Sequence, residues 1–96
     1  MSKFVAIFDI SDKPQPRDAL IRHIDHLKAL RKKNILFMCG PLKDTHKAIQ
    51  VLEADSYDEA DGYVKMDPHT TAGYFTGYVL YEWIEGNEEN NYLLKD

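Results

Sequence analysis

Residues 35–53, ILFMCGPLKDTHKAIQVLE, decide the fold. ILFMCGP is a strand-forming run closed by the Gly40-Pro41 turn signal, and LKDTH leads directly into a further strand over roughly Lys47–Glu53. Two strands in succession with no helix between them mark the middle of the chain. On the N-terminal side, a helical period starts at Pro16, with Leu20, Ile21, Ile24, Leu27 and Leu30 on one side and Arg22, Asp25 and Lys32 on the other. Asn34 is placed to end it, because Asn tolerates the left-handed conformation at a helix C-terminus. Before that helix, KFVAIFDI (residues 3–10) reads as a strand, with SDKPQP as its exit. On the C-terminal side, Ser56 and Glu59 have the spacing of a capping box, and the helix they announce runs to about Met66, because Pro68 pushes its predecessor out of helical geometry. GYFTGYVLYEW (residues 73–83) is the last strand.

The order is therefore β-α-β-β-α-β in a single α+β domain over residues 1–84, followed by a polar tail, residues 85–96, that carries a small apolar hook. This order fits a ferredoxin-like fold, a four-stranded antiparallel sheet with two helices on one face. In the first strand Phe4, Ala6 and Phe8 alternate with Val5 and Ile7, and in the second Ile35, Phe37 and Cys39 alternate with Leu36 and Met38, so both faces are apolar. Two helices cover one face only. The other calls for a second copy packed sheet to sheet around a two-fold axis, and a homodimer is expected.

Composition narrows the function classes. With 44% apolar and 29% charged residues the 96-residue chain is globular, and its net charge of −4, with basic and acidic residues mixed, gives no electrostatic footprint for nucleic acid. Cys39 is the single cysteine, which excludes an internal disulfide and fits a reducing cytoplasm. No apolar run approaches the roughly 20 residues of a membrane span.

Chemistry is carried by His23, which falls between Leu27 and Leu30 on the helical wheel and faces the sheet, and by Asp67, the acid before Pro68. Imidazole titrates near neutral pH and a carboxylate can fix its tautomer, so the two together are the minimum apparatus for moving a proton. Structural duties compete with this reading: a core-edge histidine for His23 and a turn-former for Asp67. His69 is a second candidate base, His26 reads as a solvated surface residue, and a backbone amide near Gly40 is a candidate donor to a developing enolate. The four histidines are scattered without metal-ligand spacing, so neither a metal nor another cofactor is expected. Cys39 reads as a buried small hydrophobe. On the last strand, strict alternation places Phe75, Val79, Tyr81 and Trp83 on one face and Tyr74, Tyr78 and Leu80 on the other, with one tyrosine within reach of a ligand.

HIDHLKALRKKNILFMCGP (residues 23–41), a following strand, ADS at a helix start, Asp67-Pro68 and the run Ala72–Phe75 together resemble the YCII family of dimeric α+β barrels over about nine-tenths of the chain. The resemblance implies a His23–Asp67 catalytic dyad at the floor of a cleft, and cofactor-independent isomerase or lyase chemistry on a small cyclic or carbonyl compound. Three departures are visible, one of them a short loop between the second and third strands that lacks the family's usual phenylalanine-threonine-glycine element. Leu20 stands where the family often has an arginine, leaving Arg22 or Arg17 as substitutes, and His69 stands where an aromatic commonly follows Asp-Pro. The substrate-binding set expected from this is Gly40, His69 and Arg22. A non-catalytic dimer that binds a small molecule or another protein through the same cleft is the rival reading.

Overall fold

A computed structural model describes residues 1–95. The chain forms β1 (Ser2–Ile10), α1 (Arg17–Lys32), β2 (Leu36–Pro41), β3 (Lys47–Ala54), α2 (Tyr57–Lys65), a single turn α3 (Pro68–Thr71) and β4 (Phe75–Trp83), with a 3₁₀ segment at Glu88–Leu93. The strands make one antiparallel sheet in the order β2-β3-β1-β4, the ferredoxin-like arrangement.

Local chemistry sets the element ends as the sequence leads one to expect. Asn34 takes φ 61° just beyond α1, and the Ser56 hydroxyl accepts from the Glu59 N–H at the start of α2. The helices bury Leu30, Ala60 and Val64 against Phe4, Ala6, Phe8, Leu52 and Leu80, all on one face of the sheet. Phe8 stacks on Phe75 with ring centroids 4.4 Å apart.

Two bulges alter the faces that strict alternation assigns. In β2, Leu36 pairs with Leu52 but Met38 with Val51, so Phe37 is an extra residue. Beyond it Cys39 stands opposite Gln50 on the helix-covered face, while Met38 turns to the open face. Cys39 is nevertheless exposed rather than buried, because at this end of the sheet the covering layer leaves a gap. In β4, Asp9 pairs with Gly77 and Ile10 with Phe75, leaving Thr76 extra. Phe75 therefore joins Tyr78 and Leu80 on the helix side instead of sharing a face with Val79, Tyr81 and Trp83.

The open face carries Val5, Ile7, Met38, Val79, Tyr81 and Trp83, the last four of them exposed. His26 also departs from expectation. It is half-buried, with Nε2 3.2 Å from the Tyr63 carbonyl oxygen, and so ties α1 to α2 instead of standing in solvent. Among the described residues no helix is long and apolar enough to cross a membrane.

Candidate active site

The gap between α1 and the sheet is an open cavity of about 380 Å³. One turn-to-turn stripe of α1, Leu20, His23, Ile24 and Leu27, forms a wall, because residues three and four apart share a helix face. The end of β2 beyond its bulge supplies Cys39, Gly40 and Pro41, β3 supplies Ala48 and Gln50, and α3 with the start of β4 supplies His69, Tyr74 and Phe75. Ile10 and Gln15, from β1 and its exit loop, close the rim.

Beneath this cavity His23 and Asp67 meet. Nδ1 of His23 lies 2.6 Å from Oδ1 of Asp67, with the imidazole 13% exposed and the carboxylate wholly buried. Pro68 explains why the acid is presented there: Asp67 takes extended geometry (φ −60°, ψ 126°) before it and caps α3. Oδ1 also accepts the His69 N–H at 2.9 Å, and Oδ2 accepts from Gln50 Nε2 at 2.9 Å. Burial acts to raise the Asp67 pKa, but the hydrogen bonds from His23, the His69 backbone and Gln50, with the His23 charge, outweigh it and hold the carboxyl below its ordinary value. An ionised carboxylate only accepts. In the neutral imidazole the proton therefore sits on Nδ1, and Nε2 carries the lone pair on a ring that lines the cavity.

His69 is 1% exposed and stacks on His23, with centroids 4.0 Å apart and planes 21° from parallel. Burial, then the neighbouring His23 charge, lowers its pKa to about 4 against the opposing pull of Asp67, so near neutral pH the ring is uncharged. Its Nε2 is 2.8 Å from Gln15 Nε2, and its Nδ1 has no partner among the described residues. That makes His69 a weak base and a rigid platform, pinned also by Tyr74 and Phe75.

Of the residues singled out from the sequence, the fold brings His23, Asp67, Gly40 and His69 together. Arg22 is excluded from the cavity. It lies about 100° around α1 from His23 and lines a separate exposed groove with Asp18 and Ile21, and Arg17 is likewise absent from the cavity wall. Leu20 fills the wall itself. Sequence reading passed over Gln50, whose signal is a lone polar side chain on the buried face of KAIQVLE, and Gln15, set between two prolines. Among the described residues, no three His, Cys, Asp or Glu side chains group to hold a metal ion.

A family model for the YCII-related domain matches residues 3–84. The chain belongs to the YCII-related family. Among solved structures it is similar to 5-chloro-2-hydroxyhydroquinone dehydrochlorinase from Burkholderia phenoliruptrix AC1100 in complex with 2,5-dihydroxybenzoquinone, at 23% identity and TM-score 0.65, over 93% of this chain and 99% of that one. It also resembles a NIPSNAP domain protein from Burkholderia xenovorans (12% identity, TM-score 0.55, 88% and 94% covered). A dimeric ferredoxin-like protein from Thermobifida fusca gives 17% identity and TM-score 0.50, with 86% and 89% covered. At these identities the likenesses establish the fold. Comparison with curated protein sequences returns no match.

Proposed function

We propose that this protein is a cofactor-independent proton-transfer catalyst, an isomerase or lyase for a small cyclic or carbonyl compound, with His23 as acid/base and Asp67 orienting it. The observation that carries the reading is the 2.6 Å contact between His23 Nδ1 and the buried Asp67 carboxylate, which leaves the second imidazole nitrogen as a base in a ring lining the cavity. Nε2 takes a proton from carbon beside a carbonyl, and the C–H electron pair moves into a carbon–carbon π bond as the carbonyl becomes an enolate. Return of the proton to a different carbon isomerises the compound; departure of a leaving group with its electron pair completes an elimination. The likeness to a dehydrochlorinase supports the second course. Gly40 brings bare backbone to the wall as a candidate enolate donor, and the buried, neutral His69 ring stacked on His23 holds the base in place.

The working form in this reading is a homodimer, with the exposed Val79, Tyr81 and Trp83 face covered by a second copy, in keeping with the dimeric ferredoxin-like relative. Its compartment is the cytoplasm, where the free thiol of Cys39 is stable. The test is a turnover screen of small lactones and hydroxyquinones. Against any substrate found, His23→Ala is expected to lose about 10²- to 10⁴-fold in rate while the fold and dimer persist. Undiminished turnover in that variant overturns the proposal.

A further inference from the structure

The side chains around the cavity define the charge of what enters it. We infer that the site takes an uncharged ligand offering a hydroxyl or N–H donor, and that it rejects carboxylates. This deepens the proton-transfer reading and rests on it for the location of the site.

Among the described residues no lysine or arginine lines the cavity, and the α1 wall facing the ligand is Leu20, Ile24 and Leu27. Arg31, whose field reaches Cys39, donates to the Phe37 carbonyl and lines another groove. The fixed charge nearest the ligand is negative. With Asp67 ionised, the His23–Asp67 pair sums to −1 when the imidazole is neutral and to zero when it is protonated, so the pair is never a net cation. His69 adds no positive charge near neutral pH. A carboxylate entering here gives up hydration and meets no compensating cation, an arrangement that costs binding.

Gln50 supplies the demand for a donor. It is 3% exposed and part of the cavity wall, and its Nε2 is committed to Asp67 Oδ2. Because an ionised carboxylate accepts only, the amide cannot turn over without setting oxygen against oxygen. Its Oε1 is therefore fixed as an acceptor, and it has no partner among the described residues. A hydroxyl or N–H on the ligand satisfies that atom, whereas an anionic oxygen is repelled by it.

Three single-ring probes separate the terms. Phenol is neutral with a donor, anisole is neutral without one, and benzoate is an anion. Each is titrated near neutral pH into the full chain, following the Gln50 side-chain amide and the His23 ring by ¹H–¹⁵N NMR. Phenol is expected to bind about tenfold more tightly than either anisole or benzoate. Leu20→Arg, which places a cation in the wall, is expected to narrow the preference for phenol over benzoate by about tenfold. Benzoate matching phenol on the wild-type protein, anisole matching phenol, or no response to any of the three overturns the inference. Since every arm reads binding and none reads turnover, such a failure is distinct from failure of His23 as a base.

Discussion

His23 and Asp67 are distant in sequence and in hydrogen-bond contact in the fold. Each was legible separately, His23 as a polar interruption of an apolar helix stripe and Asp67 as the residue a proline forces out of the helix. Their meeting was carried by family resemblance, since no local rule sets a contact between α1 and the turn before α3. Gln50 was not legible as a partner of Asp67, because the contact between its side chain on β3 and the turn before α3 exists only in three dimensions. His69 gives the residue scale a pH signature. Between its ordinary pKa of 6.5 and about 4 in the fold, the unfolded chain binds a proton that the buried ring refuses. Stability fully present above 6.5 is therefore expected to fall by about 3 kcal/mol as pH drops to about 4. Asp67 acts in a lower window: its depressed carboxyl adds stability above its unfolded value, lost as pH falls through the folded one. Urea unfolding across this range checks the first effect, and His69→Phe should flatten it; an equally steep fall in that variant would assign the loss elsewhere.

At the scale of elements, apolar periodicity marked α1, the Ser56–Glu59 spacing and Pro68 marked α2, and β-branched and aromatic runs bounded by turn residues marked the four strands. Two bulges and one helical turn escaped these signals. An extra residue changes the face of everything beyond it without altering composition, which is why Phe75 and Cys39 lie on the helix-covered face that strict alternation does not give them. The four-residue α3 is too short for a period to register, although Asp67-Pro68 holds its cap and first position. The Thr76 bulge matters to the site because it turns Phe75 under both His23 and His69, at centroid distances of 5.6 Å and 5.1 Å. Phe75→Ala is expected to cost about 3–5 kcal/mol of stability. It should also broaden the His23 and His69 ring signals in NMR spectra, and sharp, unshifted rings would show that Phe75 does not support them.

For the whole molecule, the two-sided apolar strands led from sequence alone to a covered second face, and the fold leaves that face with Val79, Tyr81 and Trp83 exposed. Val79→Asp is expected to convert the proposed dimer to a monomer in analytical ultracentrifugation with little change in helical circular dichroism. A wild-type protein that sediments as a monomer at all concentrations would remove the second copy from the account. The cavity lies on the other side of the sheet, between α1 and the strands. Its chemistry depends on which nitrogen of His23 holds the proton. The decisive measurement is the long-range ¹H–¹⁵N NMR pattern of the neutral His23 ring. The Nδ1–H form is expected in the wild type, with a strongly deshielded Nδ1 proton that disappears in Asp67→Ala. A wild-type ring in the Nε2–H form would mean that Asp67 does not hold it and that no lone pair faces the cavity.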